Sequence, residues 1–177
     1  MTAADELLSR NAAYQATHEP RSVVPGLGAI VVTCFDPRVD PAHVLGVRPG
    51  DAFVMRSVGG RVTPAILQNI AFITGVLAMN AGLTSFGDME IVVMHHTSCG
   101  ITVLAGSEHR PALARTLGAD AGSLDTSALA DPYQMVRADL DSLAASDLVP
   151  GEMSAAGLVF DLESGRAELV ERRSPLR

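Results

Sequence analysis

Ala29-Ile30-Val31-Val32-Thr33, running straight into Cys34-Phe35-Asp36-Pro37-Arg38, is the stretch on which the fold turns. Small and β-branched residues with no polar alternation predict a strand buried on both faces, the pattern of a parallel sheet covered by helices. Glu90-Ile91-Val92-Val93-Met94-His95 repeats the pattern and leads into His96 and Cys99. Between them, Ala52-Phe53-Val54-Met55 follows the Pro49-Gly50 turn and predicts a strand ending at Arg56. Thr63-Pro64 then opens a helix with a capping residue and proline at the first helical position. Ile66, Ile70, Ile73 and Leu77 recur at helical spacing until Gly82 stops it.

Outward from this centre the signals weaken. Ala3 to about Thr17, carrying Leu7, Leu8 and Ala12, predicts a short amphipathic helix ending before Pro20 and expected to lie against a partner chain. A helix is expected from Ser107 to Leu117, then a polar loop, then a second helix from Asp131-Pro132 to about Ala145. Leu158-Val159-Phe160 and Leu169-Val170 read as a late strand and an edge strand around the Glu163-Ser164-Gly165 turn. Strands alternating with helices make this an α/β chain with a mostly parallel central sheet flanked by helices. Ligand sites in such sheets lie outside the carboxyl ends of the strands. Cys34, Arg56 and the His96/Cys99 pair, each expected just after a strand, therefore fall along one edge.

Composition narrows the partners. The chain has 177 residues, 47% hydrophobic and 19% charged, enough apolar material for a core and the size of one domain, 1–177, with residues 1–20 as a helical arm. A formal charge of −7 gives no electrostatic footprint for nucleic acid or an anionic membrane. With no Trp and only 4% aromatics, a stacking platform for single strands lacks its materials too. Pro64 to Leu83 is interrupted by Gln68, Asn69, Thr74 and Asn80 and reads as a helix of a soluble protein rather than a membrane span. Two cysteines make no disulfide framework, and Met1-Thr2-Ala3-Ala4-Asp5-Glu6 lacks the basic start of a secretory signal. A reducing, cytoplasmic setting is the expectation.

The chemistry gathers at two short motifs. Cys34-Phe35-Asp36-Pro37-Arg38 sets a thiol, a carboxylate and a guanidinium at alternate positions, and His96-Thr97-Ser98-Cys99 adds an imidazole and a second thiol. Two thiolates and a neutral imidazole suit Zn²⁺, and three protein ligands leave a fourth position for water. Asp36 is placed to accept a hydrogen bond from that water, and Arg38 to hold Asp36 ionised and off the metal by a bidentate pair. The blander readings are two buried thiols or a disulfide, a structural Asp36/Arg38 ion pair, and a non-catalytic zinc module whose fourth ligand is Asp36. Phe35 and Val58 are candidates for the dry wall of a pocket for a nonpolar small molecule. Gly100 offers a backbone N–H to substrate or serves a turn. Arg56 reads equally as a site residue or as an anchor for a subunit contact or a salt bridge. Gly59-Gly60 reads as a tight turn, since no Lys-Ser/Thr follows to complete a phosphate loop. His95, one residue before His96, points to the opposite side of an extended chain and reads as packing or a contact behind the ligand. His43 and His109 read as solvent-facing, with a titration range suited to proton relay.

Cys-x-Asp-x-Arg followed by His-x-x-Cys-Gly resembles the β-class carbonic anhydrases. The likeness runs from Ala29 to about Ile101, and Cys34-Phe35-Asp36-Pro37-Arg38-Val39-Asp40-Pro41 is most similar to the small prokaryotic branch. The resemblance implies Cys34, His96 and Cys99 as zinc ligands, and Asp36 with Arg38 as a dyad. It implies reversible hydration of CO2 to bicarbonate by hydroxide formed on the metal. It also implies a parallel sheet with an extra antiparallel edge strand, and homodimers or higher assemblies with the N-terminal helix embracing the neighbour. Two departures bear on substrate. The family's Arg-Asn-Ala-Gly-Gly stands here as Arg56-Ser57-Val58-Gly59-Gly60, and the branch's His-His-Thr-Asp-Cys-Gly as His95-His96-Thr97-Ser98-Cys99-Gly100. Relatives on this scaffold hydrolyse carbonyl sulfide or carbon disulfide, so that activity is the second expectation.

Overall fold

Strands β1 (Ala29–Cys34), β2 (Ala52–Ser57), β3 (Glu90–His96), β4 (Ser154–Phe160) and β5 (Ala167–Arg173) form one sheet in the order β2-β1-β3-β4-β5. The computed structural model describes residues 1–105, 108–117 and 131–177. The first four strands run parallel, with Cys34 opposite Ser57, Thr33 opposite Met94, and His96 opposite Phe160. Their carboxyl ends therefore share one edge. β5 turns back antiparallel on β4. All six positions of β1 are buried, as expected of a strand covered on both faces.

The α-helices among the described residues are α1 (Ala3–Gln15), α2 (Pro41–Val44), α3 (Pro64–Ala81), α4 (Arg110–Leu117) and α5 (Pro132–Ala145). α3 has the predicted ends: the Thr63 hydroxyl accepts from the Ile66 N–H, Pro64 takes the first position, and Gly82 closes it in the left-handed region at φ 66°. By length and composition α3 is apolar enough to cross a membrane. In this chain its Ile66, Ile70 and Leu77 join Ile30, Val32, Ile91 and Val93 of the sheet in the main core. α5 packs over β3 and β4 and adds Val136, Leu140 and Leu143. A second, smaller core gathers Cys34, Val39, Met94, Cys99, Ile101, Met135 and Phe160 at the carboxyl edge.

Four details differ from the sequence reading. Cys34, Arg56 and His96 lie inside β1, β2 and β3 rather than after them; β2 extends to Ser57 to complete its ladder with Cys34. β4 begins at Ser154, four residues before Leu158. Its opening Ser154-Ala155-Ala156-Gly157 carries no hydrophobic period, since small residues are what let α5 approach. A Cβ on Gly157 would meet Val136 Cγ2 at 2.8 Å and Leu140 Cδ1 at 3.1 Å. α2 was not anticipated, although Asp40 caps it by accepting from the Ala42 N–H ahead of Pro41. The helix expected from Ser107 is described from Arg110; Ser107 and the polar stretch 118–130 lie outside the described residues. α1 carries the Thr2/Asp5 capping box and buries none of its residues.

Candidate metal centre

Adjacent parallel strands bring two candidate ligands together without further help, since Cys34 ends β1 and His96 ends β3. Cys99 returns to them through the Thr97-Ser98 turn. Ser98 takes φ 52°, a left-handed conformation that costs a non-glycine residue about 1–2 kcal/mol. The turn is fastened by the Thr97 N–H to the Phe160 carbonyl at 3.0 Å and by the Thr97 hydroxyl to Asp161 at 3.2 Å. At about 1 kcal/mol each, such bonds offset the strain.

The ligand atoms of Cys34, His96 and Cys99 all lie within 4.8 Å of one another, and all three residues are buried. The two sulfurs are 3.8 Å apart and both cysteines are free, which sets aside the disulfide. His96 Nδ1 lies 2.9 Å from the Thr97 carbonyl, which only accepts, so Nδ1 carries the proton and Nε2 presents its lone pair. That buried Nε2 has no hydrogen-bond partner among the described residues. An unsatisfied buried acceptor costs about 1–3 kcal/mol, and a cation would satisfy it. The hydrogen bond from the Cys99 thiol, with smaller help from the Asp36 N–H, brings the Cys34 thiol down to about 4. The same contact and burial push Cys99 up. The pair thus gives up one proton readily and shares the other, which a divalent cation would displace. Two thiolates and an imidazole fit Zn²⁺.

Asp36 is not in the ligand group. Its Oδ1 accepts from Arg38 Nε at 2.9 Å and from the Arg38 N–H at 2.9 Å, and its Oδ2 accepts from Arg38 Nη2 at 2.6 Å. The Arg38 side chain thereby holds the carboxyl well below the usual range, fully ionised at neutral pH. Arg38 Nη2 also reaches the Ser98 carbonyl at 3.4 Å, linking the two motifs.

Arg56 turns inward to its own chain. Nε donates to the Cys34 carbonyl at 3.0 Å, Nη2 to the Asp36 carbonyl at 2.8 Å, and Nη1 to Asp40 at 3.1 Å. It clamps the loop that carries the first motif. Gly59 and Gly60 form a turn at φ 67° and 73°, both left-handed. Val58 packs against the small core around the cysteines, whereas Phe35 is 59% exposed and Gly100 faces open space. His43 and His109 are exposed. His95 is fully buried, with Nε2 2.7 Å from Asp139 Oδ2.

Sequence reasoning missed Asp139 and its second partner, Arg61. A signal existed, since Asp139 stands three residues after Val136 and four before Leu143 on the buried stripe of α5. A carboxylate on an apolar stripe marks a buried partner.

Comparison with known proteins agrees with this geometry. A family model described as carbonic anhydrase matches residues 29–167. The β-carbonic anhydrase 1 of Mycobacterium tuberculosis is 27% identical over 167 residues, 94% of this chain and 96% of that protein. The crystal structure of a carbonic anhydrase from Streptococcus mutans superposes with TM-score 0.73 at 32% identity, over 97% of this chain and 99% of that one. A carbon disulfide hydrolase of Saccharolobus solfataricus is 36% identical over 78 residues, 44% of this chain and 34% of that protein. A match spanning most of the chain, with the Cys-His-Cys group inside it, settles the kinship: the chain belongs to the β-carbonic anhydrase family.

Proposed function

We propose that this chain is a zinc enzyme that interconverts CO2 and bicarbonate, with Cys34, His96 and Cys99 as ligands. One observation carries the reading. The Asp36 carboxylate, two residues from Cys34, is engaged by Arg38 and does not join the ligands, so the described residues offer three donors. A closed structural zinc site takes four. A bound Zn²⁺ supplies the Lewis acidity that makes water a nucleophile near neutral pH.

The side chains do the rest. Ionised Asp36 accepts a hydrogen bond from the attacking water and fixes the direction of its free lone pair. Arg38 keeps Asp36 in that orientation. Val58, Ile101 and Val39 give an apolar surround suited to a small neutral gas. Water adds its oxygen to the carbon, its proton passes to buffer, and bicarbonate leaves. Stopped-flow CO2 hydration by metal-quantified protein tests this. Zinc-replete protein with no activity above buffer would end the proposal.

A second activity, release of hydrogen sulfide from carbonyl sulfide or carbon disulfide, is supported by Ser57, Val58 and Ser98 in place of the family's usual residues and by the likeness to carbon disulfide hydrolase. Sulfide evolution measured beside CO2 hydration ranks the two.

The same reading takes residues 1–177 as one domain working in the cytoplasm, where free thiols stay reduced, and as a homodimer. What supports the dimer is apolar surface that the described residues leave exposed. α1 exposes Leu7 and Leu8, the edge strand β2 exposes Val54, and α3 exposes Phe72 and Met79. Sedimentation equilibrium finding a monomer at micromolar concentration would refute it.

A further inference from the structure

Asp139 is fully buried on α5, remote from the sheet edge in sequence and used by no step above. Both of its oxygens accept from Arg61 Nε, at 3.1 and 2.9 Å, and Oδ2 also lies 2.7 Å from His95 Nε2. A carboxylate only accepts, so His95 Nε2 carries the proton and donates. Burial drives the Asp139 carboxyl upward, but the His95 hydrogen bond and the Arg61 charge reverse this and leave it below its usual value. The charge is paired, with three hydrogen bonds on two oxygens.

The two partners belong to the segments that frame the metal centre. His95 directly precedes the ligand His96. Arg61 directly follows the Gly59-Gly60 turn, and its carbonyl accepts from the Ser57 hydroxyl at 2.8 Å, closing the turn from the other side. That turn presses on the surroundings of every ligand. A Cβ on Gly60 would lie 3.0 Å from the Cys34 nitrogen and 3.1 Å from the carbonyl oxygen of Met94, two residues before His96. A Cβ on Gly59 would lie 2.5 Å from Cδ1 of Ile101, two residues after Cys99. Only glycine permits this approach.

We infer that Asp139 is a positioning residue for the metal centre: by joining Arg61 to His95 inside the protein, it seats the Gly59-Gly60 turn and the end of β3 so that Cys34, His96 and Cys99 converge. It touches no ligand atom and no substrate. A buried ion pair is by itself weak support for stability, because desolvation cancels much of its attraction. Its value here is geometric, since it fixes one arrangement of three segments. The inference rests on the zinc reading of the centre and is indifferent to which gas the enzyme takes.

The test loads zinc into the wild type, Asp139→Asn, Arg61→Gln and the control Leu143→Ala, which cuts the core beneath the same helix. Zinc release to a chromophoric chelator is then timed well below every melting temperature. Groups hydrogen-bonded to metal ligands are worth about 10–100-fold in metal affinity, and Asp139, one residue further removed, is expected at the lower end. Asp139→Asn and Arg61→Gln should release zinc at least about tenfold faster, while Leu143→Ala stays near the wild-type rate despite its lower melting temperature. Cobalt-loaded Asp139→Asn should show an altered d–d spectrum, and the double variant should add little to either single one, as expected of one linked unit. Should Asp139→Asn not fold, Arg61→Gln carries the test, its side chain being 18% exposed. Wild-type release rates in the folded variants, or equal acceleration in Leu143→Ala, overturn the inference alone. A wild type that holds no zinc overturns the functional reading, and the inference with it.

Discussion

Arg38 grips both carboxylate oxygens of Asp36, Nε on Oδ1 at 2.9 Å and Nη2 on Oδ2 at 2.6 Å, and so decides what that carboxylate is free to do. Released from Arg38, Asp36 would be a free carboxylate two residues from Cys34, with the charge to compete for a metal held there. Arg38→Ala should therefore keep stoichiometric zinc, lose CO2 hydration by about 100-fold, and show a changed cobalt spectrum. Arg38→Lys should recover little, because an ammonium cannot make the two-pronged contact. Asp36→Asn should lose a similar factor in kcat with its metal spectrum close to that of the wild type. Stopped-flow kinetics beside cobalt absorption separates the two variants.

Glycines at the site divide by geometry. Gly60→Ala places a methyl group against the Cys34 nitrogen in a left-handed conformation and should destabilise by about 1–3 kcal/mol or more, with faster zinc loss. Gly100→Ala meets nothing within 4 Å and keeps its backbone N–H. Its stability should stay within about 0.5 kcal/mol of the wild type. Urea midpoints of the two variants check the contrast.

Acid should expose Asp139. Its carboxyl is depressed in the folded state, so the unfolded chain binds that proton more tightly. The stability it contributes is complete above the ordinary carboxylate value of about 4 and falls away as pH drops toward the lower folded value. The gap in unfolding free energy between wild type and Asp139→Asn should close as pH falls below about 4. Denaturant titrations at stepped pH measure it. A gap that widens in acid would contradict the buried ion pair.

Chelation should separate the two thiols. With its thiol near 4, Cys34 in stripped protein is already a thiolate, so its alkylation rate should vary little between about pH 6 and 8, while Cys99 reacts far more slowly. Zinc should protect both. Peptide mass spectrometry after brief iodoacetamide treatment reads each site.

The strands that carry the candidate ligands were legible because their burial on both faces leaves a continuous apolar run, and Cys34 and His96 follow those runs directly. α3 was legible because Thr63, Pro64 and Gly82 act locally, through their own backbone. The opening of β4 was not, because Ser154-Ala155-Ala156-Gly157 is chosen by the helix above it rather than by the strand itself. Arg56 gave its type but not its role, since its three bonds run to residues 16 to 22 positions away. Asp139 lay furthest from view. Its partners are 44 and 78 residues distant, and only its place on an apolar stripe hinted at them.

α1 buries none of its 13 residues. A helix so short has little reason to persist on its own in water, whatever its capping box adds. In an isolated chain it should unwind while the sheet stands, so the helicity of the first fifteen residues becomes a gauge of whether another molecule is holding them. If a second copy is what holds them, dilution would be read first at the amino terminus.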